Sequence, residues 1–243
     1  MKLKNSNVAG IIYIVLAMFV FSLQDIAVKG IGGDYSAIQI VVLRSFVALP
    51  ATLVLFRFEG GKGLPTTKRH GLEYLRGFFF FLSYTTYMMA ITSMPLAELS
   101  TIRNSAPLLI TLLSVFLLAE KVSLEHWIAI IIGFVGVLLI VKPGSATFNI
   151  GAIFALIAVI FYAINTMITR KLRTTDSSAT MAYYSSLLYL VASFVLAPLP
   201  LVVGDMQNAH PSIAFLLRPW VMPTLGDFLI MTGLGLVWAV GMF

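Results

Sequence analysis

Residues 95–144 read PLAELSTIRNSAPLLITLLSVFLLAEKVSLEHWIAIIIGFVGVLLIVKPG, and the fold turns on how this stretch is taken. It holds two apolar runs, 96–118 and 124–141, separated by a charged turn at Glu120 and Lys121. Each run is close to the roughly 20 mostly apolar residues that a helix needs to cross a bilayer. The first nevertheless carries Glu98, Arg103 and Asn104 within about two helical turns, and Pro107 follows them. A carboxylate, a guanidinium and an amide in such a setting demand a reason.

The rest of the chain has the same character. Of its 243 residues, 59% are hydrophobic and 11% charged, with a mean hydropathy of +0.97. Soluble domains run near 45–50% apolar and about 25% charged. The sequence therefore predicts an all-α polytopic membrane protein rather than a globular domain with one anchor. Spans are expected at 8–28, 36–56, 72–92, 96–118, 124–141, 149–169, 179–203 and 225–243. The turn signals GIGGD, EGGKG, SMP and KPGSA punctuate them, as does a proline-bearing stretch around Pro211 and Pro219. MKLKNSN leads into the first run with no small-residue cleavage site, so that run reads as a retained helix rather than a signal peptide. The absence of cysteine excludes disulfides and thiolate chemistry.

A formal charge of +6 raises the question of nucleic acid. With a cytoplasmic N-terminus, however, the inner segments hold Lys2, Lys4, Arg57, Lys62, Lys68, Arg69, Arg76, Lys121, Arg170, Lys171 and Arg173. The outer ones hold only Lys29, Lys142 and Arg218. That bias is the positive-inside pattern, spread over short loops rather than gathered in a basic patch. The partners implied are the lipid bilayer of a cytoplasmic (inner) membrane and a small metabolite. Nucleic acid is excluded, and homodimerisation is left open.

Sliding the chain on itself by 142 residues aligns Asn7 with Asn149, Lys29 with Lys171, Asp34 with Asp176 and Ser36 with Ser178. Spans one and two then fall on six and seven, and the third corresponds to the eighth. A repeat unit of five spans is odd, so the second copy enters from the opposite side, the inverted architecture common in secondary transporters. This divides the chain into a module at 1–144 with five transmembrane helices and an incomplete one at 145–243 with three. Ten helices would complete the pair, so the end at Phe243 reads as a truncation.

Several short motifs add a resemblance. Ala97-Glu98, Pro107, Leu118-Ala119-Glu120-Lys121, Gly133 with Gly136, and Lys142-Pro143-Gly144 follow one another in the quoted stretch, and Gln39–Ser45 (QIVVLRS) lies in the second span. In these the chain resembles EamA-type transporters of the drug/metabolite transporter superfamily. The resemblance implies a ten-helix, two-module carrier of small metabolites such as amino acids, S-adenosylmethionine-like cofactors, vitamins or drugs. It implies no cofactor and no enzyme activity.

Ionisable residues inside a span are costly and mark functional sites. Ser100, Arg103, Asn104, Pro107, Thr111 and Ser114 follow helical spacing and are expected to form one polar stripe on a cavity wall. Glu98 points elsewhere, near the outer end. At about 1.5 Å per residue, Arg44 and Arg103 lie at similar depth. Asp25 and Glu98 occupy the same outer half, where mutual pairing would lower the burial cost. The functional reading has Arg44, Arg103 and Asn104 bind a polar or anionic substrate group, with a coupling proton on Asp25 or Glu98. The competing reading is a static ion pair of Arg44 with Asp25 or Glu98. Tyr84, Tyr87 and Trp238 are candidates to wall the site for a planar or cationic metabolite, against plain helix packing. Pro107 is expected to kink its helix beside Arg103, and Pro50 and Pro198 theirs. Arg76 is expected to snorkel from an inner helix end. His70, His126 and His210 are too scattered for a metal site.

The favoured function is a secondary carrier working by alternating access, with proton coupling as an option. An integral membrane enzyme would need His and acids clustered at one interface, which the sequence lacks, and no ATP-binding motif supports a primary pump. The alternative is a truncated, non-transporting fragment or scaffold.

Overall fold

Four side-chain oxygens start the helices that follow the main turns. Ser36 accepts from the Gln39 backbone N–H, Ser177 from Thr180 and Asn149 from Gly151, the usual device for satisfying first-turn donors. His210 does the same for Ser212 ahead of Pro211. The structure, a computed structural model, describes residues 6–118, 120, 122–144, 148–204 and 209–242. Lys2, Lys4, Ala119, Lys121 and Phe243, all used above, lie outside them.

The described residues form helices α1 (Ser6–Ile31), α2 (Ala37–Phe58), α3 (His70–Ile91), α4 (Leu96–Arg103), α5 (Ala106–Leu118) and α6 (Leu124–Val141). They continue with α7 (Ile150–Leu172), α8 (Ser178–Leu196), α9 (Leu199–Val203), α10 (Pro211–Leu217) and α11 (Leu225–Met242). α1, α2, α4–α5, α6, α7 and α8–α9 are long and apolar enough to cross a membrane, and Leu225–Gly241 is a shorter apolar helix. The chain is an all-α, multi-pass membrane protein. α3 is as long as α2 but less apolar, because Glu73, Arg76, Ser83 and Tyr84 are buried among its neighbours instead of facing lipid.

Prolines decide where spans break. The expected fourth span is two helices, α4 and α5, parted at Asn104 and Ser105. Pro107 lacks the donor that would bond the Arg103 carbonyl, and its ring clashes there. Pro198 likewise parts α8 from α9, whereas α2 continues through Pro50. The stretch around Pro211, expected as a turn, contains the short α10, whose Phe215 is buried beside Gly32.

α3 packs along α7 and α8, while α2 packs along α8 and α11. Gly235 lets α11 approach α2 so closely that a Cβ there would meet the Arg44 carbonyl and lie 3.0 Å from the Val47 Cβ. Gly133 meets Leu108 across α5 and α6, but Gly136 and Gly233 face open space. Gly235→Ala is therefore expected to cost about 1–3 kcal/mol by overpacking. Gly233→Ala should be neutral or slightly stabilising through helix propensity. Thermal unfolding in detergent separates the two.

The turns after α1 and α7 share one hydrogen-bond pattern. The bonds Gly32 N–H to Val28 O, Asp34 and Tyr35 N–H to Ile31 O, and Ile40 N–H to Ser36 O recur at Arg173, Thr175, Asp176 and Met181. The recurrence is at 141 residues, one fewer than the sequence match of 142, because Asp34 and Asp176 occupy different places in the turn. At 141, Gln24 corresponds to Asn165, and both are buried amides whose side-chain oxygens lack a partner among the described residues.

Candidate functional site

Asp25 stands in the last two turns of α1, Tyr87 in the last two of α3, and Arg103 at the end of α4. Arg103 Nη1 donates to Asp25 Oδ2 at 2.9 Å, and the Tyr87 hydroxyl donates to the same oxygen at 2.8 Å. Arg103 Nη1 also lies 3.2 Å from the Tyr87 hydroxyl. The Asp25 side chain is 9% exposed, but that of Arg103 is 34% exposed. The pair thus ties three helices together while the guanidinium keeps an open side.

Arg44 is placed differently. Only 1% exposed on α2, it has its guanidinium carbon 3.9 Å from the Tyr84 ring centre, 4.5 Å from Trp238 and 5.3 Å from Tyr189. None of its three nitrogens has a hydrogen-bond partner among the described residues, and the buried Tyr84 hydroxyl has none either. Trp238 stacks on Phe80 at 4.9 Å and donates from Nε1 to Ser186 at 3.3 Å, and the Tyr189 hydroxyl donates to the Phe80 carbonyl. Cation–π contacts give up to about 2 kcal/mol each when desolvated, comparable to the several kcal/mol of burying the charge. The five N–H donors are a separate cost, about 1–3 kcal/mol for each left unmade. The rings offset the charge and leave the donors unanswered.

The two arginines expected at one depth therefore belong to two sites. Tyr84 and Tyr87 are three residues apart on α3, so the sites lie about 4.5 Å apart along its axis. The ion pairs of Arg44 with Asp25 or Glu98 do not form; Asp25 takes Arg103 instead. Glu98 is exposed and makes no ion pair among the described residues. The expected polar stripe is broken: Asn104 caps α4 through its backbone, and both it and Pro107 are exposed. The kink shifts the helix phase, so residues beyond it no longer share the face of Arg103. Thr111 and Ser114 bond carbonyls within α5. The aromatic wall does gather around a cation, but that cation is the protein's own Arg44.

Arg76 corrects a further expectation. It does not snorkel; at 1% exposure its Nε pairs with Glu73 at 3.1 Å, and its Nη2 donates to Ser185 at 2.7 Å and to the Met181 carbonyl of α8. The i, i+3 spacing of Glu73 and Arg76 was the sequence signal for this pair. Nothing in the sequence singled out Tyr189 or Ser186.

Residues 8–142 match the model of the EamA-like transporter family. An S-adenosylmethionine uptake transporter of Rickettsia prowazekii is 26% identical over 221 residues, which cover 91% of this chain and 72% of the relative. A riboflavin transporter of Vibrio cholerae is 25% identical over 238 residues, 95% of this chain and 77% of the relative. A pseudopaline exporter of Pseudomonas aeruginosa is 29% identical over 200 residues, 81% of this chain and 67% of the relative. The chain thus spans between 67% and 77% of the length of these three proteins. The family match covers more than half the chain, from α1 through α6, and the relatives are membrane carriers of small molecules. This multi-pass protein belongs to the EamA-like transporter family.

Proposed function

We propose that the protein is a secondary carrier of a small metabolite, working by alternating access between the halves 1–144 and 145–243 of an inverted repeat. The hydrogen bonds recurring at 141 residues support the duplication. Contacts between loops join ends that the alternating topology assigns to one side. Arg218 bonds the Gly32 carbonyl, Gln39 bonds Val221 and Ser212 bonds Ser93 on one side, and Thr67 bonds Asp176 on the other. The loop charges support an inner membrane with the N-terminus cytoplasmic.

The observation that carries the reading is the Asp25–Tyr87–Arg103 cluster. An intramembrane ion pair with one open side suits an exchange. While Asp25 is ionised it holds Arg103. A proton on Asp25 removes that attraction and frees the guanidinium for a polar or anionic substrate group, so proton and substrate occupy the site together. Deprotonation restores the ion pair and expels the substrate group. Amino acids, S-adenosylmethionine-like compounds, vitamins and drugs are the substrate classes, the relatives' own cargo first among them.

The test is uptake into proteoliposomes of labelled S-adenosylmethionine, riboflavin and amino acids, with and without a pH gradient. Asp25→Asn is expected to abolish stimulation by the gradient, while Glu98→Gln keeps it. A mutant Asp25→Asn stimulated as strongly as wild type would remove the proton from Asp25.

A further inference from the structure

We infer that Arg44 and the rings around it form a receptor for a carboxylate carried on a planar, aromatic metabolite, closed here over an empty site. The inference rests on the carrier reading and names the substrate chemistry that reading leaves open. Its ground is the state of the guanidinium. Arginine stays charged in proteins, so Arg44 cannot shed its burden by losing a proton, as a buried lysine would. It is 1% exposed and all three nitrogens lack acceptors among the described residues, as does the Tyr84 hydroxyl beside it. The other two buried or half-buried span arginines are neutralised, Arg103 by Asp25 and Arg76 by Glu73. Arg44 alone, among the described span residues, brings an uncompensated charge.

A carboxylate answers each deficiency at once. It cancels the charge, and its two oxygens match the guanidinium fork in a bidentate pair. One of them can also accept from the Tyr84 hydroxyl. The flat walls of Tyr84, Tyr189 and Trp238 suit a planar group attached to that carboxylate.

The box also lies where alternating access would open it. Arg44 and Tyr84 come from α2 and α3 in the first half, Tyr189 and Trp238 from α8 and α11 in the second. Separating the halves parts the rings from the cation. Closing them without a ligand returns the rings to the cation's faces, the arrangement seen. At the 141-residue offset Arg44 corresponds to Ser185, which serves Arg76, so the second half supplies no matching arginine and the boundary takes one such anion.

The full chain in lipid nanodiscs, with Trp127→Phe and Trp220→Phe so that Trp238 alone reports, is titrated with phenylacetate and with phenylacetamide. Saturable quenching by phenylacetate is expected, at least tenfold weaker for the amide. Arg44→Met should abolish the preference and also raise the thermal midpoint, since it removes the unanswered donors at similar volume. Arg44→Lys, a charge without the fork, should keep the preference at several-fold lower affinity. Arg103→Gln should leave it unchanged. Equal response to both probes, response to neither, or a lower midpoint in Arg44→Met overturns the inference and makes the cage a structural latch. If phenylacetate binds through Arg44 but wild-type liposomes move none of the metabolites, the carrier reading falls and the receptor stands. Flux with no carboxylate preference is the reverse.

Discussion

Glu73→Ala is expected to be the most damaging single substitution for stability, lowering it by about 3–5 kcal/mol, the usual cost of breaking a buried ion pair from one side. Glu73 and Arg76 have side-chain exposures of 0% and 2%, so water cannot replace the lost carboxylate. Arg76 would keep Ser185 and the Met181 carbonyl, but these are neutral acceptors. The double substitution Glu73→Leu with Arg76→Met should recover most of the loss, because well-packed apolar replacements of a buried pair are often neutral or stabilising. Thermal or denaturant unfolding in detergent compares the three proteins. A single mutant as stable as wild type would show that the pair is solvated and not a clamp between α3 and α8.

Arg103→Ala should have the largest effect on transport. Removing one member of a hydrogen-bonded charge pair costs about 2–5 kcal/mol. The lower end applies here, since the Arg103 side chain is 34% exposed. About 2 kcal/mol corresponds to a roughly 30-fold fall in kcat/KM for uptake. Stability should fall less, because Asp25 left without its cation can take up a proton and become neutral. Arg103→Lys should retain part of the activity, as a point charge that reaches Asp25 without the fork geometry. Uptake by Arg103→Ala within twofold of wild type would take the residue out of the substrate path.

Apolar run lengths placed every long helix to within a few residues, because bilayer thickness imposes one length on each of them. What escaped was set by partners. Arg76 has the sequence look of a snorkelling side chain near a helix end, and only the packing of α8 against α3 shows its acceptors. The stripe from Ser100 to Ser114 assumed one continuous helix, although the proline that breaks it stood in plain view. Periodicity cannot be carried across a break of unknown phase. Arg44 and Arg103 share a depth, which helix rise gives, but depth says nothing about azimuth around the bundle, so their separate surroundings were not legible. The repeat was found one residue out of register. Hydrogen bonds define the turn, and matching aspartates in it were coincidental in position.

The break at Asn104 and Ser105 has a mechanical consequence. α4 contributes eight residues and α5 thirteen, about 12 Å and 20 Å of rise, so together they just traverse a hydrocarbon core of about 30 Å. A jointed span of that length answers a change in lipid thickness by bending at its joint, where an unbroken helix would tilt as a whole. Arg103 sits on the outer segment next to the joint. Lipids with shorter or longer acyl chains should therefore shift its grip on Asp25, making turnover depend on membrane thickness.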